Sequence, residues 1–301
     1  MYRFVPALTL SALALFAAMP ALGADYPDGF RPAYPENFDD YEPLGFEVGL
    51  RYWYSKGEQS LGFAGETVKA NDTSHILEGH LRIDDRSTSS YVKGQAGYAF
   101  ATDGSYSDSS SAASLDFSGG QIGYAGADFG YMPFGTDTFK FGGLIGYQYM
   151  KESPDKARAD FGADGLNIHA LRLGVTARAE INDFFDINAE LAAIPYADIS
   201  GQTANYLIPT TVIGGINADT LSASLSGAGY GAAGEVMLGI HPTENMVLRV
   251  GGRGWVLKGP ATASVTYSDS ATPGTTVKAS QVLDGLSLFR YGLLAELTGK
   301  F

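Results

Sequence analysis

A strict two-residue alternation of apolar and polar side chains limits, more than any other feature, what this chain can fold into. Near the start of the pattern, Phe46, Val48, Leu50, Tyr52 and Tyr54 share one parity, with mainly polar residues and glycine between them. Because successive side chains of a β-strand point to opposite faces, this pattern predicts a strand with one apolar face. A helix is not expected, since glycine, β-branched and aromatic residues fill such segments. Nine further segments alternate in the same way: 75–84, 91–100, 115–131, 139–149, 169–180, 186–193, 221–240, 248–256 and 286–301.

Charged residues in these segments fall on the parity opposite to the apolar one, as Arg51 and Arg82 illustrate. An Arg or Lys facing lipid near the bilayer centre costs about 2–4 kcal/mol, so membrane-spanning strands exclude it. A soluble β-sandwich would also exclude charge from its core. The polar face, however, carries both signs almost evenly, and in a narrow barrel these side chains would meet across the lumen and pair. The pattern therefore favours a barrel in a membrane.

The final segment ends on an aromatic residue, Phe301, and its apolar parity includes Tyr291 and Leu297. This ending resembles the closing strand of bacterial outer-membrane β-barrel proteins. The resemblance implies that Phe301, Leu297 and Tyr291 form the signal recognised by the barrel-assembly machinery. It also implies an all-β fold, a transmembrane antiparallel up-and-down barrel.

The N-terminus has the layout of a secretory signal peptide. Residues 1–23 combine a basic start at Arg3, an apolar run and small residues at the expected cleavage site. A membrane anchor is the alternative, but the apolar run is shorter than the roughly 20 residues a spanning helix needs. Residues 24–43 are acidic, contain Pro and Tyr and lack periodicity, which predicts a flexible periplasmic segment ahead of a barrel domain at 44–301. We therefore expect export through the periplasm to the outer membrane of a Gram-negative cell.

Connections of two lengths alternate between the predicted strands. Short turns are expected at 85–89, 132–137, 182–184 and 241–245, and long polar loops at 56–73, 102–114, 151–165, 201–220 and 259–280. Outer-membrane barrels have short periplasmic turns and long extracellular loops. Starting from a periplasmic N-terminus, all the long loops fall outside the cell. The count predicts ten strands, with eight or twelve as alternatives.

Inward-facing charges are expected to fill the lumen. Small barrels are filled by side chains, whereas wide aqueous pores need about 16–18 strands. We therefore predict a plugged or very narrow lumen, with charge at nearly every inward position. The predicted ion-pair network comprises Glu78, Arg82, Arg172, Arg178, Glu180, Glu190, Arg249, Arg253, Arg290 and Glu296.

Aromatic residues cluster toward the strand ends, where rings that are part apolar and part polar suit a membrane interface. Ordinary strand preference for aromatic residues is the alternative explanation. The predicted aromatic girdle comprises Tyr52, Tyr54, Tyr147, Tyr149 and Phe289, and the wider set of strand-end aromatics includes Trp53.

Catalytic and metal-binding motifs are not recognisable in the sequence. The four histidines lack metal-ligand spacing; His75 and His169 are expected near outer strand ends, His241 in a periplasmic turn and His80 in the lumen. The ten strands and long loops resemble the omptin surface proteases, whose activity resides in a pair of aspartates and an Asp–His couple at the extracellular rim. Here the pair Asp84–Asp85 is expected at the periplasmic end, and the fourth outer loop contains no His at 202–206. We therefore expect no enzyme, no metal and no cofactor.

Two functions remain open at this point. The first is a non-enzymatic surface protein whose loops contact lipopolysaccharide, partners or host surfaces, and the second is a narrow channel for small solutes or ions. Outer-membrane lipid, lipopolysaccharide and the assembly machinery are the expected partners. Nucleic acid is not expected, since the net charge is −13. Zero cysteines exclude disulfides and thiolate chemistry. What the loops bind and how the chain oligomerises follow from no feature of the sequence.

Overall fold

The computed structural model describes residues 43–63, 66–108, 111–136, 138–155, 165–272 and 274–301. The predicted signal peptide and the acidic segment as far as residue 42 lie outside this range. Within it, no helix has the length and apolar character needed to cross a membrane.

The described chain is built from antiparallel strands joined by turns and loops. The strands are β1 (Leu44–Phe63), β2 (Glu66–Asp85), β3 (Ser90–Asp108), β4 (Ser111–Gly135), β5 (Phe139–Asp155), β6 (Gly165–Asn182), β7 (Phe185–Ile213), β8 (Ile216–Thr243), β9 (Met246–Gly259), β10 (Ala261–Ser268), β11 (Thr276–Val282) and β12 (Gly285–Lys300).

Ten of these strands form a closed barrel. Strands β1 to β9 pair in sequence, and β12 closes the ring by pairing with both β9 and β1. Strands β10 and β11 lie outside the ring: β10 adds to the loop end of β8, and β11 adds to β10. The prediction of an up-and-down barrel of ten strands is confirmed, and the alternatives of eight and twelve are wrong.

The two parities of each strand face opposite sides of the barrel wall, as predicted. On the outer face, Leu50 is 59% exposed and Leu293 is 70% exposed, whereas Glu78 and Arg290 on the inner face are 0% and 1% exposed. On β1 the outward apolar residues run from Leu44 to Tyr54. The ten residue-to-residue steps of about 3.3 Å, in a strand tilted by 35–45°, span roughly 25 Å of membrane, which matches the apolar band of outer-membrane barrels.

The strands extend well beyond the predicted boundaries at the loop end. The predicted loop 56–73 is a continuous hairpin of β1 and β2, and the predicted loop 201–220 is the hairpin of β7 and β8, which turns at Gly214 and Gly215 with positive φ. The predicted loop 259–280 contains β10 and most of β11. These predictions were wrong because strand pairing depends on backbone hydrogen bonds, which persist where water on both faces removes the apolar alternation.

Two β-bulges explain where the alternation changes phase. The first lies on β3, where Phe100 is the extra residue because His75 pairs with Ala101 and Ile76 with Ala99. The second lies on β7, where the register shifts between Ile194 and Ala197. Because of the second bulge, Ile194 and Ala197 are both buried although three positions separate them. A bulge adds one residue to a strand and so lets an apolar side chain on each side of it point inward.

Candidate functional site

The lumen contains two different layers, and the layer nearer the short turns is ionic. Arg249 on β9 lies at its centre, where its Nη1 contacts Glu296 at 2.8 Å and Glu47 at 3.4 Å. The same guanidinium contacts Asp186 at 3.4 Å. Four strands are thereby joined across the lumen, because these acids belong to β12, β1 and β7.

A second group of ion pairs lies further from the short turns than the Arg249 group. Arg51 pairs with Glu78 at 3.0 Å and also with Glu296. Arg253 contacts Glu78 at 2.5 Å and Glu235 at 2.5 Å. Since Glu78 is fully buried, two guanidinium groups compensate its desolvation.

A third group occupies the opposite wall of the lumen. Arg172 contacts Asp128 at 2.8 Å and pairs with Glu190, while Lys93 lies 2.7 Å from Glu190 and 3.5 Å from Asp128. Two cations and two carboxylates thus form a closed set, in which each charge has partners of opposite sign.

Nine of the ten predicted network residues form ion pairs in the lumen. Arg82 pairs locally with Asp84 at 2.7 Å, and Arg178 pairs with Glu47 at 3.1 Å. Glu180 is the exception: it is exposed near the short-turn end, and no ion pair of this side chain occurs among the described residues. The prediction for Glu180 was wrong because it lies near the end of β6, where the barrel opens to water.

Several network members were absent from the prediction: Glu47, Arg51, Asp72, Lys93, Asp128, Glu152, Asp186 and Glu235. Cross-strand register could have identified some of them, since Arg51 lies opposite both Glu78 and Glu296, and Lys93 lies opposite Asp128. Asp72 and Glu152 lie in segments that were predicted to be loops, so no parity was assigned to them.

The layer nearer the loops is apolar, and this corrects the prediction of charge at nearly every inward position. Ile76, Ile168 and Leu257 are 0% exposed, and Trp53 is 1% exposed. Trp53 therefore belongs to the lumen and not to the outer aromatics. The guanidinium of Arg253 lies 5.4 Å from its ring, where the two layers meet. The loop-end half of the barrel thus has a packed hydrophobic core like that of a soluble protein.

One charged cluster is enclosed within this core, since on β12 the buried Leu288 lies on the loop side of Arg290 and the buried Leu294 on its short-turn side. Arg290 on β12 donates to both carboxylate oxygens of Asp72 at 2.9 and 3.0 Å and to those of Glu152 at 3.0 and 2.6 Å. It also donates to the Ser55 hydroxyl at 3.0 Å. We call Arg290, Asp72 and Glu152 the Arg290 clamp. Every member is less than 8% exposed, and the clamp joins β12, β2 and β5 across the barrel.

Cavities at the two ends of the lumen are larger than those inside it. At the short-turn end a cavity of about 210 Å³ is lined by charged residues that include Lys140, Arg178 and Lys300. At the loop end a cavity of about 100 Å³ lies beside Glu152 and Leu166. Between them, cavities of about 50 and 20 Å³ are lined by the ion pairs. Volumes of this size hold single waters, which suit polar surroundings.

The predicted girdle residues all lie on the outer face, and two of them bond to histidine. Tyr52 Oη lies 2.6 Å from His75 Nδ1, and Tyr147 Oη lies 2.5 Å from His169 Nδ1. His80 is buried in the lumen, as predicted, with its Nε2 at 3.2 Å from the Thr298 hydroxyl. Among the described residues no group of three or more His, Asp or Glu is arranged to hold a metal ion.

The predicted assembly signal is accessible on the outer face. Phe301 is 75% exposed, Leu297 is 49% exposed and Tyr291 is 48% exposed. Backbone hydrogen bonds of 3.0 and 2.9 Å join Phe301 to Phe46, so the last residue is still paired with the first strand of the barrel.

A turn at the short-turn end illustrates how polar side chains fix these connections. The Asp85 carboxylate accepts hydrogen bonds from the Ser87 amide at 2.9 Å and the Ser87 hydroxyl at 2.6 Å. These bonds favour the ionised carboxylate and hold the pKa of Asp85 below its usual value. The predicted turn at 85–89 is therefore stabilised by its own first residue.

Comparison with solved structures places the fold among outer-membrane barrels. The outer membrane protease OmpT from Escherichia coli superposes with a TM-score of 0.58 at 12% sequence identity, over 86% of this chain and 96% of that chain. The outer membrane protein OprG from Pseudomonas aeruginosa aligns over 86% and 95% at 13% identity, with a TM-score of 0.33. The toluene transporter TodX from Pseudomonas putida aligns over 86% and 89% at 12% identity, with a TM-score of 0.29. At such low identity the likeness to OmpT concerns the fold alone. No family model and no curated protein sequence matches the chain.

Proposed function

We propose that this chain, which has the all-β fold of the bacterial outer-membrane β-barrels, is a non-enzymatic surface protein of a Gram-negative outer membrane. In this proposal the barrel anchors and rigidly supports the hairpins at its loop end, and the lumen does not conduct. The observation that carries the proposal is the Arg290 clamp within a packed apolar layer, because a conducting lumen needs a continuous path for water.

The outer surface supports a position in the membrane. Its apolar residues form a band of roughly 25 Å, with aromatic side chains at the loop end, as expected of a barrel in lipid. A soluble protein rarely exposes contiguous apolar patches of more than a few hundred square ångströms. Water would therefore be an unfavourable solvent for this barrel.

The inner surface supports a sealed lumen. To pass the clamp, a solute would have to separate Arg290 from two buried carboxylates, and breaking a buried ion pair costs roughly 3–5 kcal/mol. It would also have to displace side chains such as Ile76, Ile168 and Leu257, which are fully buried. The ionic layer would present a further barrier, since its charges already have partners.

The positions of the aspartates and histidines in this chain do not favour the protease activity named for OmpT. The Asp84–Asp85 pair lies at the short-turn end, where Asp84 is bound by Arg82 and Asp85 stabilises a turn. His75 and His169 lie on the outer face against tyrosines. A general base must reach the proton it abstracts. Asp198 on β7 lies opposite His169, but the His169 ring is bonded to Tyr147, and no hydrogen bond joins it to Asp198 among the described residues. This arrangement supports a non-enzymatic role.

The loop-end hairpins supply the surface on which a partner would be bound. The hairpin of β7 and β8 extends beyond the ring, and β10 and β11 widen it into a sheet of four strands. Asp219 on β8 accepts hydrogen bonds from the amide and the hydroxyl of Ser270, which joins the hairpin to the connection after β10. A supported sheet of this kind is more rigid than a set of free loops.

A narrow channel is the second candidate, favoured by the cavities at both ends of the lumen. The 210 Å³ cavity at the short-turn end and the 100 Å³ cavity at the loop end would serve as its entrances. Opening would require the Arg290 clamp to separate.

Planar-bilayer recording of the purified barrel tests the proposal. We expect no stepwise current, and we expect brief openings in an Arg290→Ala variant, because that change removes the clamp. Stable nanosiemens-scale steps from the unmodified protein would favour the channel instead. Cell fractionation tests the location: the protein should enter the outer-membrane fraction and require detergent for extraction.

A further inference from the structure

A broad groove crosses the outer face of the barrel between β1 and β5, with a volume of about 1130 Å³. Large exposed side chains form its ends, with Phe139 and Phe141 at one end and Tyr54 and Leu293 at the other. Between them the groove is lined by the exposed side chains of Val175, Leu191 and Val236 and by residues with a small side chain or none: Ala177, Ala189, Gly234, Gly252 and Gly254. A volume of this size exceeds that of most small-molecule sites, which measure about 300–1,000 Å³.

Strand register shows that the groove runs obliquely through the membrane band. Lys56 on β1 pairs with Tyr291 on β12, and the same row continues through Gly254, Gly234, Leu191 and Val175 to Gly143 on β5. Six inter-strand spacings of about 4.8 Å make this row roughly 29 Å long. Because the strands are staggered, it starts at the loop end of β1 and finishes near the short-turn end of β5.

The loop end of the groove carries a positive charge. Lys56 is exposed and is the first charged residue after the outward apolar residues of β1. Among the described residues it makes no salt bridge, whereas Glu58, two positions further, is already paired with Lys69 at 3.1 Å. The ring of Tyr54, next to Lys56 on the same face, packs edge-on against His75 at 5.4 Å.

A short sequence motif that occurs twice in the chain supports the position of Lys56 at the boundary between the apolar band and the headgroup region. The pattern Tyr-x-Tyr-x-Lys occurs at 52–56 and again at 147–151. In both copies a histidine on the next strand accepts or donates a bond with the first tyrosine, at 2.6 Å for His75 and 2.5 Å for His169. Both motifs end the apolar band on their strands, so both mark the headgroup region. Only the first copy lines the groove.

We propose that the groove binds the lipid part of lipopolysaccharide, with acyl chains along its apolar floor and a phosphate group on Lys56. This inference rests on the proposed location in the outer membrane. The charge is complementary to a phosphate, and it lies at the loop end, so the headgroup is in the outer leaflet. The short-turn end, by contrast, is closed by Phe139 and Phe141, which suit hydrocarbon and not a headgroup.

The floor of the groove can be altered without disturbing the barrel. A Cβ added at Gly234 or Gly252 would meet no atom closer than 3.5 Å, so neither glycine is required for close approach of the backbone. A larger side chain at either position would therefore occupy the groove. Gly79, on the outer face of β2, has nothing within 4 Å of an added Cβ and lies away from the groove, which makes it the matched control.

Native mass spectrometry of the delipidated full-length barrel in detergent tests the proposal. The probes are bis-phosphorylated lipid A, the same molecule after enzymatic removal of its phosphates, and phosphatidylglycerol. We expect one tightly bound lipid A, at least tenfold weaker binding in the Gly234→Leu/Gly252→Leu variant, and no change in Gly79→Leu. Lys56→Gln should weaken only the phosphorylated form by several-fold, while Lys278→Gln on β11 should have no effect.

Unchanged lipid A affinity in the groove-filling variant would overturn the site, and equal affinity for phosphatidylglycerol would overturn the choice of glycolipid. These outcomes differ from failure of the proposed location. A chain recovered in the soluble fraction of cells would defeat the membrane proposal itself, whereas a detergent-extracted barrel that binds lipid A elsewhere would defeat only the groove.

Discussion

Arg290 on β12 makes a bidentate contact with Asp72 on β2, with N–O distances of 2.9 and 3.0 Å. The two strands are not neighbours, because β1 lies between them in the sheet. The two residues are 218 positions apart in the sequence. Glu152 binds the remaining edge of the same guanidinium, so one cation holds two carboxylates. This geometry satisfies the donors of Arg290 almost completely and explains how a charged group is tolerated beside an apolar core.

Replacing Arg290 by Met should destabilise the barrel strongly. Asp72 and Glu152 would be left buried without a cation, which typically costs about 3–5 kcal/mol. The urea midpoint of the folded barrel in detergent, followed by circular dichroism, measures the change. Lys69→Met is the control, since it breaks an exposed pair with Glu58 that contributes below about 1 kcal/mol. Equal midpoints for the two variants would show that the clamp has no structural role.

Gly57→Ala should disturb the Arg290 clamp by steric overlap with two of its members. A Cβ at this position would lie 2.3 Å from an Asp72 carboxylate oxygen and 2.5 Å from an Arg290 nitrogen, so one of these groups must move. Overpacking of this kind typically costs about 1–3 kcal/mol. Gly79→Ala adds the same methyl group where nothing lies within 4 Å, and its unfolding midpoint should stay near that of the unmodified barrel.

A charge on the outer band should impair insertion into lipid. Leu50 is 59% exposed near the middle of the band, and Leu50→Arg should cost about 2–4 kcal/mol in a bilayer. Leu115 is even more accessible, at 68%, but it lies in the hairpin of β3 and β4 beyond the band. Folding yield into liposomes should therefore fall for Leu50→Arg and stay unchanged for Leu115→Arg. Similar yields for both would contradict the assigned membrane level.

The contact between Asp219 and Ser270 should weaken only in acid. Hydrogen bonds from the Ser270 hydroxyl and amide lower the pKa of Asp219, since they favour its ionised form. A lowered pKa in the folded state means that this stabilisation is present above the unfolded value, about 3.9, and is lost as the pH falls through the folded value. NMR titration of the Asp219 carboxyl carbon should show the low midpoint, and Ser270→Ala should raise it. An unchanged midpoint in Ser270→Ala would show that another group lowers the pKa.

Parity was enough to predict which side of the wall most residues face. Leu50 and Arg51 are adjacent in the sequence, and a two-residue period can only place them on opposite sides. The short turns were also predictable, because residues such as Asp85 and Asn182 accept hydrogen bonds from the next amides and so end a strand locally.

Parity did place Ile76 on the inner side of β2, since it shares the even positions of Glu78 and His80, and all three are buried. The apolar layer of the lumen was nevertheless missed, because the inner face was interpreted from its charged members alone. A bulge does change the phase of β3, where Ala99 and Thr102 are both buried although three positions separate them, and a bulge has no periodic signal.

The amino-acid sequence by itself determined the ten barrel strands and which face of each one carries charge, since these follow from neighbours along one strand. Only the tertiary structure decided which charges meet, because Arg290 reaches Asp72 and Glu152 through the stagger of strands around a closed ring. It also decided that the hairpins continue past the membrane, where backbone pairing needs no apolar face. Ring closure is a property of all ten strands together, and no single segment carries it.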